Sequence, residues 1–209
     1  RLDIEERVLQ CFGRESDAVL RGGRLLIATQ VAEQSLDIDL DLIVSDLAPI
    51  DRLIQRAGRL HRHVRDAAGN PLADGAADQR GAPCLWVLGP EWTDEPEPSW
   101  FKKAFPKGAA VYPNHGELWL SAQCLQSGRF TMPDDARRLI ETVFGGDDAA
   151  LPVGLQKNAL QAAGVSLGNA SQATRNSVKL GSGYVRTGLE WDEDSVAPSR
   201  LGEDTIEVL

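Results

Sequence analysis

Two short apolar runs, each followed directly by polar residues, constrain the fold of this chain more than any other feature. The runs are RLLIA at residues 24–28 and LIVS at residues 42–45. Continuous apolar runs of this length are typical of strands that are buried on both faces of a sheet. The first run leads through a turn into a short helical segment. The second leads into a helix predicted over residues 52–62, with Asp51 as its N-cap. Strands that alternate with helices in this way predict an α/β fold with a parallel sheet.

The rest of the chain continues this pattern less regularly. Residue periodicity predicts helices at 2–12, 116–126, 133–144 and 155–163, a third strand at 85–88 and short strands after residue 178. Residues 64–83 are rich in Ala, Gly, Asp and Pro, which predicts a mobile surface loop. We therefore predict a partial sheet domain at 1–146, a linker with a helix at 147–177, and the start of a small C-terminal accessory domain at 178–209.

Composition excludes several classes of protein. No apolar run reaches the roughly 20 residues that span a membrane, and we expect no secretory leader, because the printed sequence does not open with a charged and then an apolar segment. The three cysteines are far apart, which disfavours a disulfide framework or a zinc ribbon and fits the reducing cytoplasm. A helical pattern runs on from Arg1 and a strand-like TIEVL ends the chain. We therefore expect either that both ends are cut from something longer or that a boundary fell outside the fold.

The charge of the chain is unevenly distributed. The net charge of −9 argues against a protein that coats nucleic acid non-specifically. Residues 1–65 hold ten Lys and Arg against eleven Asp and Glu, whereas residues 66–209 hold twelve against twenty. Five arginines fall between residues 52 and 65. A local cationic site in an acidic protein indicates a focused contact with an anion.

The segment QRAGRLHRH, residues 55–63, carries the strongest chemical signal. At 100° per residue, Arg52, Arg56 and Arg59 form one stripe of the predicted helix, beside an apolar stripe that docks it on the sheet. A planar guanidinium can contact, through two hydrogen bonds, the charge that develops on a phosphoryl group as it is transferred. The alternative is a solvated basic helix face, which we prefer for Arg52 or Arg65 taken alone. His61 and His63 lack a further ligand nearby, so we predict no metal site.

The segment ATQVAEQSLDID, residues 28–39, follows the first predicted strand. Ligands of parallel sheets bind at the carboxyl ends of strands, so Thr29 and Gln30 are placed to meet a nucleic-acid backbone or a nucleotide. Asp37 could orient an arginine of the next motif or accept a ribose hydroxyl. For Asp39 and Asp41 we prefer an acidic loop between strands.

Taken together, these two segments resemble motifs V and VI of superfamily 2 helicases. The motif sequences, ATQVAEQSLDID followed by LIQRAGRLHRH, are closer still to those of the CRISPR-associated helicase–nuclease of type I systems. The resemblance is specific over residues 22–63 and looser over 85–144 and 191–209. It implies a RecA-like parallel sheet, here part of the second helicase domain. It also implies an ATP-driven translocase on single-stranded DNA, recruited by a guide-RNA surveillance complex.

The resemblance also implies site roles. Arg56 and Arg59 would contact the ATP phosphates as catalytic residues, with Gln55 beside them. Asp37 would link to the nucleotide site, and the candidate DNA contacts are Thr29, Gln30 and Ser35. The phosphate-cradling G-x-x-x-x-G-K-[ST] and the family's metal-binding motifs are absent from this sequence. We therefore expect ATP and Mg²⁺ to be cofactors of a full-length parent, with none bound by this chain alone.

Three alternatives remain at this stage. The chain could be a non-catalytic interaction module that closes over DNA or docks on the surveillance complex, or part of an RNA-directed superfamily 2 helicase. The aromatic and cationic segment at residues 99–108, SWFKKAFPKG, could bind single-stranded DNA, but we favour a small amphipathic element with its rings in the core.

Overall fold

The computed structural model describes residues 2–29, 36–146 and 151–176. The elements in chain order are α1 (Leu2–Phe12), α2 (Ala18–Arg21), β1 (Leu42–Asp46), α3 (Ile50–Ala57), β2 (Cys84–Leu88), α4 (Trp100–Ala104), α5 (Gly108–Val111), α6 (His115–Leu125), α7 (Ala136–Phe144) and α8 (Val153–Asn176). Within the described residues, no helix combines the length and apolarity that crossing a membrane requires.

A parallel pair of strands forms the sheet in the described part of the chain. β1 pairs with β2 from Leu42 opposite Cys84 to Asp46 opposite Leu88, and α3 lies on the connection between them. Parallel neighbours require such a crossover because the second strand must start from the same end as the first. The predicted α/β class with a parallel sheet is therefore confirmed.

The prediction of a buried strand at residues 24–28 is wrong. These residues form no strand, and Leu25 and Ile27 are 82% and 87% exposed. A strand requires backbone hydrogen bonds to a neighbour, and this segment makes none with β1. An apolar run supplies side chains suited to a buried strand, but the run forms a strand only when its backbone pairs with a neighbouring strand.

The sheet is also less buried than predicted. Leu42 and Val44 of β1 and Trp86 and Leu88 of β2 are each more than half exposed. They alternate with the more buried positions of the same strands, so they lie on one face. Parallel sheets are normally covered on both faces. Nothing in the described part of the chain covers this one.

The core lies beneath the opposite face, between α3 and the helices α6 to α8. Its buried residues are Leu47, Ala48, Ile50, Leu53, Trp100, Phe101, Leu118, Trp119, Leu139, Val143 and Leu155. α3 contacts α6 and α7, and α6 packs against both α7 and α8. This packing fixes α3, and with it the second motif, relative to the helical part of the chain.

Helix ends differ from prediction in instructive ways. α1 spans the predicted residues, and α6 matches within one residue because Asn114 caps it by accepting hydrogen bonds from the N–H groups of Gly116 and Glu117. α7 begins three residues later than predicted, after turns that precede it. α8 is much longer than the predicted 155–163 and runs through most of the predicted linker. The strands expected after residue 178 lie outside the described residues.

Candidate functional site

A cavity of about 710 Å³ opens at the carboxyl end of β1. Its polar lining comes from both motifs, from the end of β1 and from the region of α5: Thr29, Ser45, Asp46, Arg56, Arg59, Lys107 and Tyr112. Apolar residues of the segment 25–28, of β1 and of α4 complete the wall. The position agrees with the general placement of ligands in parallel sheets.

Arg56 reaches the cavity from the last turn of α3. Its Nη1 donates hydrogen bonds to Ser45 Oγ at 2.5 Å and to the Asp46 carbonyl at 3.1 Å. Its Nη2 donates to the Tyr112 hydroxyl at 3.0 Å. The guanidinium is therefore anchored to the end of β1 on one side and to the residue after α5 on the other.

Arg59 reaches the same cavity from beyond the end of α3. The predicted helix 52–62 is wrong at both ends, because α3 begins at Ile50, which puts Asp51 in its first turn, and ends before Gly58. The chain then turns so that Leu60 bridges to Leu40, and His61 adopts a left-handed φ of 47°. Burial lowers the pKa of the Arg59 guanidinium, and the positive charge of Arg62 lowers it further. Both effects raise the benefit of an anion placed beside it.

The remaining predicted site residues are distributed differently. Thr29 lines the cavity, whereas Gln55 is exposed and lies off its wall. Gln30 and Ser35 lie outside the described residues. The structure thus brings Arg56, Arg59 and Thr29 together.

Asp37 binds the second motif but lies off the cavity wall. Its carboxylate accepts a hydrogen bond from Arg62 Nε at 2.6 Å and lies 3.1 Å from His63 Nε2. Burial raises the pKa of Asp37, but the hydrogen bonds and charges of Arg62 and His63 hold it below its ordinary value. Asp37 thus contacts Arg62 of the second motif, and its role beside the nucleotide site stays a prediction.

Sequence reasoning missed a buried ionic cluster beside the site. Asp39 and Arg65 are both fully buried. The prediction of a solvated cation is therefore wrong for Arg65, whereas Asp39 lies in a loop as predicted, but in a buried one. Arg65 Nε donates to Asp39, while its two Nη atoms donate to the carbonyls of Ser16 and Gly13. A planar guanidinium with five donors can satisfy all these oxygens at once.

Arg80 and Asp78 extend this cluster into the predicted mobile loop at 64–83. Arg80 Nη1 lies 3.1 Å from Asp39 and 2.8 Å from Asp41, and its Nη2 lies 2.6 Å from Asp78. The hydrogen bond from Arg80 lowers the pKa of Asp78 to about 2. The loop lies largely at the surface, but these ion pairs anchor both of its ends to the site. Because the paired residues are scattered over positions 39–80, no local sequence pattern indicates them.

The aromatic segment 99–108 divides between two environments. Trp100 and Phe101 are buried in the core, which confirms the amphipathic interpretation. Lys103 pairs with Glu97 at the surface, whereas Lys107 lines the cavity. Within the described ranges, no cluster of His, Cys, Asp and Glu suited to a metal ion is present.

Comparison with known proteins finds one family throughout. A family model described as the C-terminal part of the CRISPR-associated nuclease/helicase Cas3 matches residues 1–65. The chain is 33% identical to the Cas3 endonuclease/helicase of Thermus thermophilus over 98% of its own length. It is 54% identical to the Cas3 nuclease/helicase of Streptococcus thermophilus over 70%. It spans only 21% and 14% of those relatives' lengths, respectively.

Solved structures agree with this match. The crystal structure of T. fusca Cas3-ADP aligns with 85% of this chain at a TM-score of 0.64 and 32% sequence identity, and the chain covers 19% of it. The T. fusca Cas3-ATP structure aligns with 83% at a TM-score of 0.63.

Proposed function

We propose a function for this chain, which belongs to the Cas3 family of CRISPR-associated nuclease/helicases and corresponds to its C-terminal helicase part. In our proposal the chain supplies one wall of the ATP site of an ATP-driven DNA translocase. Arg56 and Arg59 contact the phosphates from this wall, and Arg59 stabilises the charge that develops during hydrolysis.

One observation carries the proposal: two guanidinium groups from one turn of backbone line a single cavity at the carboxyl end of β1. Structural arginines in this chain, such as Arg65, bury their guanidinium groups in hydrogen bonds to the fold. Arg56 is also hydrogen-bonded to the fold, but Arg56 and Arg59 both border a volume large enough for a nucleotide. Electrostatic stabilisation by such groups is usually the largest contribution to catalysis of phosphoryl transfer.

The second wall of the proposed site comes from elsewhere in a longer protein. This sequence contains no glycine-rich phosphate loop, the element with which P-loop NTPases hold the phosphates beside Mg²⁺. The relatives are about five to seven times longer, and two of the similar T. fusca structures are of Cas3 with ADP and with ATP. We propose that ATP and Mg²⁺ act in the full-length parent and that the isolated chain does not hydrolyse ATP.

The DNA path and the partners belong to the same proposal. Thr29 lies on the cavity wall and, with Gln30 and Ser35, would contact the backbone of single-stranded DNA. The remaining partners would be the rest of the helicase–nuclease and a guide-RNA surveillance complex, in the cytoplasm.

The test uses the full-length protein that contains this chain. Arg59→Ala should lower ATP hydrolysis and DNA unwinding by about 10³-fold or more, while binding to single-stranded DNA is largely retained. Arg52→Ala is the matched control, because it makes the same substitution nearby, in a residue of α3 that pairs with Asp51 and lies off the cavity wall. Full unwinding by Arg59→Ala would contradict the proposal and favour the interaction module.

A further inference from the structure

Tyr112 lies outside both helicase-type motifs and yet contacts the site. It is the residue that follows α5, and it is half-buried against the core while also lining the cavity. Its hydroxyl accepts the hydrogen bond from Arg56 Nη2 at 3.0 Å, across 56 positions of sequence. Nothing in the local sequence around Tyr112 indicates this contact.

Tyr112 completes a three-point hold on Arg56. Ser45 Oγ and the Asp46 carbonyl accept hydrogen bonds from Nη1, so these two oxygens constrain one end of the guanidinium. The Tyr112 hydroxyl constrains the other end, at Nη2. An arginine side chain has about 2 kcal/mol of rotamer entropy to lose on ordering. Because the Arg56 guanidinium is fixed at both ends, this entropy is already lost before a nucleotide binds.

The position of Tyr112 is itself fixed by aromatic packing. Its backbone N–H donates to the Gly108 carbonyl at 2.9 Å, which closes the single turn of α5. A Cβ at Gly108 would meet the ring of Phe101 and the Cβ of Phe105 at 3.3 Å, so glycine allows this close approach. Phe101 is buried and stacks on Phe105, and it also contacts the ring of His115 at the start of α6. The hydroxyl is therefore held from the helical part of the molecule.

We propose that Tyr112 is a positioning residue of the ATP site, which holds the Arg56 guanidinium in the orientation that contacts the nucleotide phosphates. The inference rests on the proposed function of Arg56 and deepens it. It also makes α4, α5 and α6 the support of a catalytic side chain. Small misplacements of a group that contacts the reacting atoms reduce rate much more than they reduce binding.

The experiment measures ATP hydrolysis by the full-length protein. Tyr112→Phe removes the hydroxyl and keeps the ring, so kcat should fall about tenfold, as expected for one lost hydrogen bond to a charged group. The KM for ATP should change less than threefold. Ser45→Ala removes a second acceptor of Arg56 and should shift kcat in the same direction. Ser127→Ala is the control: it deletes an exposed hydroxyl that bonds only to backbone carbonyls of its own turn.

A double-mutant cycle separates positioning from packing. In an Arg56→Lys background, which retains the positive charge but loses the planar fork of donors, Tyr112→Phe should lower kcat less than twofold further. Independent, multiplicative losses in the cycle would overturn the inference, as would full activity of Tyr112→Phe. Should Arg56→Lys and Arg56→Ala both retain full activity, the proposed function of Arg56 fails instead. The two failures are thus distinguishable.

Discussion

At the scale of single residues, Asp39 and Arg65 show how the second motif is held in place. Both side chains are fully buried and bonded to each other, and Arg65 also bonds to the carbonyls that follow α1. Their pairing joins the end of the first motif to the end of the second. Buried pairs add little net stability over an apolar replacement, but removal of one partner leaves a charge in a medium that cannot solvate it.

We therefore predict a large loss of stability from Asp39→Asn. The neutral side chain leaves the buried Arg65 without its carboxylate, and the free energy of unfolding should fall by about 3–5 kcal/mol. Asp74→Asn is the matched control, because Asp74 pairs with Arg14 at a site where the aspartate is 82% exposed. That change should cost less than about 1 kcal/mol. Urea denaturation measures both variants, and equal losses would refute the assigned difference.

His115 leads to a prediction about pH. Its ring is buried against Phe101, and burial lowers the pKa of His115, with a smaller lowering by the charge of Lys102. The unfolded chain, with a histidine pKa near 6.5, therefore binds the proton first as pH falls. Stability from this residue is fully present above pH 6.5 and is lost as pH falls from 6.5 towards the folded pKa. His115→Phe should flatten this part of the profile, measured as urea unfolding between pH 8 and pH 5. An unchanged slope would contradict the prediction.

The cavity arginines and the buried ionic cluster show which single residues a sequence can and cannot reveal. Arg56 and Arg59 lie three positions apart beside Gly58, so a local pattern with a known chemical use identified them. Asp39, Arg65 and Arg80 are joined only by the fold, and Tyr112 meets Arg56 across 56 positions. Contacts between distant segments depend on how the elements pack, which local periodicity does not encode.

At the scale of elements, periodicity predicted the existence of helices and strands better than their surroundings. The strands β1 and β2 and the helices α1 and α6 lie close to where the pattern places them. The helix after β1 was predicted too long, because α3 ends where the chain turns to bridge Leu60 to Leu40. The run 24–28 was predicted as a strand from composition. Its Leu25 and Ile27 are exposed, and the segment does not pair with the sheet.

The exposed face of the sheet leads to a prediction that compares the isolated chain with the full-length protein. Val44 and Trp86 are 60% and 61% exposed here, although parallel sheets are normally covered on both faces. Because the relatives are several times longer, we expect other parts of the full-length protein to cover this face. Trp86→Glu should then change the unfolding free energy of the isolated chain by less than about 0.5 kcal/mol but destabilise the full-length protein by about 3 kcal/mol or more.

Thermal unfolding of both forms, each against its own unsubstituted protein, measures this difference. Gln123→Glu adds the same negative charge at an exposed position of α6 and therefore controls for the added charge. An equally small effect of Trp86→Glu in both forms would mean that the face stays uncovered in the longer protein.

At the scale of the whole molecule, the chain combines an acidic surface with one local cationic cavity. The net charge is −9, and Arg56, Arg59 and Lys107 nevertheless line one volume at the end of the sheet. Local cations of this kind attract phosphate groups at short range, while the overall charge repels the nucleic acid backbone at longer range. This combination suits a protein that binds its anionic ligands between this cavity and a second protein surface.

This asymmetry predicts that the isolated chain turns over no ATP, with or without single-stranded DNA. Phosphoryl transfer needs a phosphate cradle, Mg²⁺ and an oriented water in addition to arginines, and this sequence contains no phosphate-cradling loop. Phosphate release should therefore equal the buffer background for the chain and rise with DNA only for the full-length protein. An Arg59→Ala form of the chain serves as the control for contaminating ATPases, whose activity would persist in it. DNA-stimulated release that disappears in Arg59→Ala would refute the prediction, because the chain's own cavity would then contain a complete catalytic site.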